Sequence, residues 1–217
     1  NPEMGRYSDL ARLYRDVEST INWPSETGII DLPDAYSKIL KTSYNTVLHR
    51  GTAPLLNCPA VNSSLNREEI TKNYFSHDFG LTYFDNFLSN KALNSLRNFL
   101  LSSTIWFDIK DNGYLGCYLA QGLACPLVLQ VAKELKETFP EILKDHPLRQ
   151  AWAYKYDSRA RNPESRYSGI DIHADFAAVN VNFWLTPNTA NLDPKSGGLV
   201  VYDVEAPANW HFNSYNN

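Results

Sequence analysis

Two side chains that can bind a metal ion lie one residue apart in the segment Ser168-Gly-Ile-Asp-Ile-His-Ala-Asp-Phe176. In an extended chain alternate side chains point to the same face, so His173 and Asp175 are expected to project together. An imidazole and a carboxylate placed in this way supply two ligands for a divalent cation. With a second His they form the facial triad typical of non-haem Fe(II) sites. A His-x-Asp triplet also occurs as an ordinary surface pair, so the neighbouring segments must decide between the two interpretations.

The next segment, 179–186, alternates between an apolar and a polar face. Val179, Val181, Phe183 and Leu185 share one face, and Asn180, Asn182, Trp184 and Thr186 share the other. Asn is depleted in strands because its amide competes locally for backbone hydrogen bonds. Two Asn beside a Trp favour a cavity wall, where the amides bind a carboxylate ligand and the indole lines the pocket. The alternative is the solvent-facing side of a half-exposed sheet.

The elements that must position these residues are expected as helices first and strands later. Helical spacing is found over 10–21 behind a Ser8 cap, from Pro33 to Leu48, after a Ser89 cap, and from Pro126 to Pro140. Strand patterns cover 81–84, 151–156, 169–175, 179–186 and 198–204, and 52–67 reads as a loop. This order predicts an α+β protein, mainly β, with a sandwich or barrel supported by helices. We expect an N-terminal helical region over 1–79 and a β domain over 80–217.

Composition excludes several classes of protein. The 217 residues are 43% hydrophobic and 20% charged, an ordinary globular balance. A net charge of -4 argues against nucleic acid as a partner. Three cysteines, Cys58, Cys117 and Cys125, are too few for a disulfide framework, and the last two are expected to be buried thiols. The chain has no long apolar run or secretion signal, so we expect a cytoplasmic protein without a membrane partner.

The segments His173-Ala-Asp175, Asn182-Phe-Trp-Leu-Thr-Pro187 and Ser196-Gly-Gly-Leu-Val-Val-Tyr-Asp203 together resemble the 2-oxoglutarate- and Fe(II)-dependent dioxygenases. The similarity is greatest to the prolyl-hydroxylase-like branch and covers about 80–217. It implies a double-stranded β-helix, or jelly roll, preceded by a tetratricopeptide-like helical region. It also implies that Gly197 and Gly198 let two strands approach closely.

The resemblance assigns roles residue by residue. His173 and Asp175 would be two iron ligands, and Tyr156 on the preceding strand would hydrogen-bond 2-oxoglutarate. Asn180, Asn182 and Trp184 would line the co-substrate. The implied reaction hydroxylates an unknown substrate with release of succinate and CO2, and ascorbate would serve as a reductant. The helical region favours a polypeptide substrate over a small molecule.

The chain departs from this family where a second His and a cationic anchor for 2-oxoglutarate are required. His211 is the only histidine after Asp175 and comes too early, and no Lys or Arg follows Lys195. His211 is therefore not the expected third ligand, and we expect the missing core strands to lie beyond Asn217. Two alternatives stay open: a catalytically incomplete jelly-roll binding module, and a cupin-like metal enzyme that does not depend on 2-oxoglutarate.

The remaining charged and histidine residues carry weaker signals. Lys155, Arg159, Arg161 and Arg166 form a basic cluster before His173. This cluster is either solvated charge or a lid that meets a carboxylate-bearing substrate. His49, His77 and His146 have no carboxylate at ligand spacing, so they are expected to be structural or surface residues.

Overall fold

The computed structural model describes residues 2–23, 30–110, 114–156, 173–191, 195, 198–214 and 216. In chain order its elements are α1 (Pro2–Thr20), α2 (Asp34–Leu40), α3 (Arg67–Ser76), α4 (Asn90–Ser102), β1 (Asp108–Lys110), β2 (Tyr114–Tyr118), α5 (Pro126–Thr138), α6 (Pro140–Leu143) and β3 (Trp152–Tyr156). Short 3₁₀ helices cover Leu119–Gln121, Asn188–Ala190 and Phe212–Ser214. The described residues form a mixed structure of helices and a small three-stranded sheet, which is compatible with the predicted α+β class. Among these residues helix predominates over strand, so they do not show the expected predominance of β-structure or a closed jelly roll.

The N-terminal helices differ from prediction at their ends. Helix α1 begins at Pro2, so the Ser8 cap is wrong. A proline fits the first turn because its missing N–H is not needed there. Helix α2 ends at Leu40 rather than continuing to Leu48, and turns follow it. Asn45 among those turns has a positive φ of 54°, a conformation that ends regular α-helix.

Two helices that carry the core begin where the sequence predicts. The hydroxyl of Ser89 accepts a hydrogen bond from the Ala92 N–H and caps α4. Pro126 occupies the first turn of α5. Both helices contribute residues to the buried core, where Phe99 is 1% exposed and Leu127 is fully enclosed.

The loop that precedes α3 is attached to α5 by hydrogen bonds to its backbone. The carboxylate Oε2 of Glu134 accepts from the N–H groups of Ala60 and Val61 at 2.8 and 2.9 Å. The side-chain oxygen of Gln130 accepts from the Leu56 N–H at 2.8 Å. These bonds hold an irregular segment against the core, because a buried backbone N–H must find an acceptor. The loop is thus confirmed up to Asn66, which caps α3.

The sheet is an open antiparallel meander in the order β1-β2-β3. Asp108 pairs with Gly116, and Gly116 pairs with Tyr154 on the other side. Cys117 lies on the opposite face and is completely buried against the helices. One face of the sheet therefore completes the core, and the other faces away from it.

Several predicted strands do not form. Residues 81–84, 173–175, 179–186 and 198–204 have no ladder pairing among the described residues. The feature nearest to the range 81–84 is an isolated β-bridge between Val61 and Leu88. Alternating polarity tells which face a side chain takes, but a strand also needs a neighbouring backbone to bond with. The predicted strand over 169–175 falls partly on residues 169–172, which lie outside the described residues.

Among the described helices, none combines the length and the apolar composition needed to cross a bilayer.

Candidate metal centre

His173 and Asp175 face each other in the structure. The Nε2 atom of His173 lies 3.9 Å from the Oδ1 atom of Asp175, and their side chains are 43% and 36% exposed. The backbone turns directly after the pair, where the Ala177 N–H donates to the Asp175 carbonyl at 2.8 Å. The two donor atoms therefore converge on one solvent-accessible point.

The two donor atoms are of types that bind a divalent first-row metal ion, since imidazole plus carboxylate suits Fe(II). Two ligand atoms that each lie about 2.1 Å from one ion are about 3.0 Å apart when they bind at right angles, as in a facial triad, and about 4.2 Å apart when they bind on opposite sides. The 3.9 Å between Nε2 and Oδ1 exceeds the facial spacing, so the two exposed side chains must move closer together to bind one ion in that way. Within the ranges that the structure describes, no third His, Cys, Asp or Glu joins them in a metal-binding group. The pair could thus hold an ion through two ligands, and the described residues place no third ligand beside it.

His211, the only histidine after the pair in the sequence, is exposed and precedes a 3₁₀ helix. Its carbonyl accepts from the Ser214 N–H at 2.7 Å.

The segment after the pair is attached to the core through its apolar face. The Phe183 ring packs against the Phe87 ring with a centroid distance of 5.4 Å. Leu185 is partly buried against the core, and its carbonyl accepts a hydrogen bond from the Arg97 guanidinium. Phe183 and Leu185 therefore contact the core as the predicted alternation requires, whereas Val181 on the same face is 44% exposed. The segment 179–186 is not paired as a strand with any described residue.

The residues predicted to line a co-substrate lie on the exposed side of this segment. Asn180 and Asn182 are exposed, and Trp184 is 64% exposed. This placement leaves their amide and indole groups accessible from solvent. Their role as a cavity wall stays a prediction.

Tyr156 is the last residue of β3, and its backbone pairs with Tyr114 on β2. The Tyr156 side chain lies outside the described part of the structure. Trp152 and Tyr154, earlier in β3, lie on the face of the sheet turned away from the buried Cys117. The pairing of Tyr156 with Tyr114 does not bear on the predicted contact with 2-oxoglutarate, which stays a prediction.

Sequence reasoning missed the polar and aromatic cluster on that outer face of the sheet. The Lys110 ammonium lies 2.8 Å from the Asp108 carboxylate and donates to the Tyr118 hydroxyl at 3.2 Å. Tyr114 and Tyr154 meet edge to face with a centroid distance of 5.0 Å. The signal was present as aromatic residues at every second position of 114–118 and 152–156, interrupted only by Gly116.

Electrostatics in this sheet follow from pairing and burial. The hydrogen bond to Asp108 is the main cause that raises the pKa of Lys110, which therefore stays charged. Burial raises the pKa of Tyr114. On the other face, burial raises the pKa of the Cys117 thiol to about 11. Cys117 and Cys125 are buried, as the sequence predicts, whereas Cys58 is exposed.

One groove among the described residues is separate from these side chains. It has a volume of about 620 Å³ and lies between α3 and the segment before α4. Its lining includes Asn73, Tyr83 and Asp85, and none of the predicted site residues takes part. The groove is therefore not the pocket that the sequence predicts beside the metal ligands.

The structure describes only some of the remaining residues that the sequence analysis singled out. The arginines of the basic cluster and Gly197 lie outside the described residues, whereas Gly198 has a positive φ of 144°. His49 has a structural environment, because its backbone N–H and carbonyl both bond the Thr104 hydroxyl. His77 accepts from the Phe79 N–H at 3.3 Å.

Comparison with known proteins finds no matching family model, no matching curated protein and no matching solved structure.

Proposed function

We propose that this protein is an Fe(II)- and 2-oxoglutarate-dependent dioxygenase that hydroxylates a substrate with release of succinate and CO2. The observation that carries the proposal is the approach of His173 Nε2 to Asp175 Oδ1 at 3.9 Å. A jelly-roll core, of which the described sheet would be one part, belongs to the same proposal. The residue pattern of the family resemblance supports both.

The types of the donor atoms support an iron site with open coordination positions rather than a structural metal site whose positions are all filled by protein ligands. Two protein ligands of the type His and Asp, with one His to be added, leave coordination positions open for other molecules. The pair is accessible to solvent, so a co-substrate can approach it. Bound Fe(II) would supply the activation of O2 and the oxidative decarboxylation of 2-oxoglutarate.

The protein's own residues would bind and orient the reactants. His173 must present an unprotonated Nε2, and Asp175 a charged carboxylate, because only those forms bind a metal. Asn180 and Asn182 carry amide donors on the exposed face of the neighbouring segment, where they can bind a carboxylate. Trp184 beside them offers an apolar surface that can exclude water from one side.

Succinate formation from 2-oxoglutarate is the direct test. The protein is incubated with Fe(II), 2-oxoglutarate and ascorbate, and succinate is measured by mass spectrometry. We expect His173→Ala and Asp175→Ala each to remove the activity, because each deletes a metal ligand. His211→Ala is the matched control, since it removes another exposed histidine that is not an expected ligand.

Three outcomes would contradict the proposal. Wild-type activity in His173→Ala or Asp175→Ala would refute the ligand assignment. A wild-type protein that binds Fe(II) but forms no succinate would favour a metal enzyme of another type. A protein that binds no divalent metal would favour the binding module.

A further inference from the structure

The residue between the two proposed ligands is held by one side chain from the C-terminal part of the chain. The Ala174 N–H donates to the Oδ1 atom of Asn216 at 2.6 Å. The Nδ2 group of Asn216 donates to the Ala174 carbonyl at 3.0 Å. A single amide thus satisfies both backbone polar groups of Ala174, across 42 positions of sequence. We refer to these two bonds as the Asn216–Ala174 pair.

The Asn216–Ala174 pair reproduces what a neighbouring strand does in a sheet. A strand residue exchanges its N–H and carbonyl bonds with a partner backbone, and a carboxamide carries the same donor and acceptor. The amide of Asn216 therefore takes that place at the single residue that separates His173 from Asp175.

Fixing the backbone of Ala174 fixes the directions of both neighbours. In an extended segment the Cα–Cβ directions of residues on either side of a central residue depend on its φ and ψ angles. His173 and Asp175 are both more than one-third exposed. The backbone between them is therefore one restraint on the distance between their donor atoms.

The same C-terminal segment makes a second contact beside the pair. The Phe212 ring meets the Phe176 ring edge to face, with a centroid distance of 6.3 Å. Phe176 is nevertheless 97% exposed, so this contact buries little apolar area and contributes little free energy. The two hydrogen bonds of Asn216 are therefore the stronger connection.

We propose that Asn216 is a positioning residue for the metal pair: it holds the backbone of Ala174 so that His173 and Asp175 converge. The inference rests on the proposed metal-binding function. It assigns to Asn216 no contact with metal or substrate. Residues that orient metal ligands typically change affinity by about 10- to 100-fold when they are removed.

Metal affinity measured with Mn(II) tests this role without turnover. Mn(II) is a redox-inactive substitute for Fe(II), and free Mn(II) is measured by its electron paramagnetic resonance signal. We expect Asn216→Ala to raise the Kd by about tenfold. Asn216→Gln, which carries the same amide one methylene further out, should also raise it. Asn213→Ala is the matched control, because Asn213 is an exposed amide in the adjacent 3₁₀ helix.

Hydrogen exchange at the Ala174 amide tests the bond itself in the absence of metal. Exchange should be about two- to tenfold faster in Asn216→Ala than in the wild type, the range expected for one hydrogen bond. It should be unchanged in Asn213→Ala. Equal unfolding midpoints for the three proteins would show that the variants are folded.

The outcomes separate this inference from the proposed function. If Mn(II) binding requires His173 but is the same in both Asn216 variants, the positioning role is refuted and the metal site stands. If the Ala174 amide exchanges equally in wild type and Asn216→Ala, the pair does not form and the inference fails regardless of metal. If the wild type binds no Mn(II), the proposed function is refuted, and the positioning role is refuted with it.

Discussion

Replacing Glu134 should cost more stability than replacing any exposed glutamate of α5. Oε2 of this side chain accepts from the N–H groups of Ala60 and Val61 at 2.8 and 2.9 Å. Oε1 accepts from the Gln130 amide at 2.7 Å. Ala60 and Val61 are both buried in the core, so water cannot easily replace the lost acceptor.

The magnitude follows from the two backbone groups left without a partner. An unsatisfied buried donor costs about 1–3 kcal/mol. Alanine regains a few tenths of a kcal/mol through its higher helix propensity. We therefore expect Glu134→Ala to lower the free energy of unfolding by about 2–5 kcal/mol. Glu134→Gln keeps one side-chain oxygen as an acceptor, so about half of that loss is expected.

Urea denaturation followed by circular dichroism measures this difference. A loss of about 3 kcal/mol corresponds to a fall in Tm of about 6–12 °C for a chain of this size. The control is Glu137→Ala, three positions further along α5, where the glutamate forms a surface ion pair with Lys133 at 3.5 Å. We expect less than about 1 kcal/mol there. The reasoning is refuted if Glu134→Ala and Glu137→Ala have the same stability.

Three further predictions concern single sites. Gly122→Ala should lower the free energy of unfolding by about 1–3 kcal/mol, measured by urea titration, because its φ is +108° and an added Cβ would lie 2.7 Å from an isoleucine methyl. Cys58 should react with iodoacetamide at pH 8 while Cys117, whose pKa burial raises to about 11, stays unmodified in native mass spectra. Asp108→Asn should cost about 1 kcal/mol at pH 7. That difference should disappear as pH rises through the pKa of Lys110, which lies above its ordinary 10.5, because the raised pKa stabilises the fold only while the ammonium is charged. A constant difference up to pH 12 would contradict the assignment.

Helices with a cap and an apolar face could be predicted from the sequence. Ser89 and Pro126 each mark a first turn, and the residues that follow repeat at helical spacing. Helix α3 was missed because its face is mostly polar and only Ile70 is buried. Its start was nevertheless marked by Asn66 followed three residues later by Glu69, whose side chains do bond each other at 2.8 Å.

Strands were predicted less well because strand formation depends on distant segments. The alternating residues of 179–186 do place Phe183 and Leu185 against the core, so the assignment of faces was informative. The pairing that would make this segment a strand is not encoded in its own alternation. The hairpin of β1 and β2 was missed for a related reason, because β1 is only three residues long and β2 contains a glycine.

The candidate site also combines a feature that neighbouring residues predict with a feature that depends on a residue far away in the sequence. The approach of His173 to Asp175 is a property of neighbouring residues, and a two-residue spacing suffices to predict it. The hydrogen bonds that hold the backbone between them come from Asn216, and no local pattern around 173–175 indicates that residue. The approach of a His to an Asp can therefore be recognised from a short motif, whereas a residue that bonds the backbone between them is found only when the chain is folded. If the proposed metal site binds as we infer, Asn216 influences its affinity without contacting the ion, because its amide holds the backbone between the two ligands.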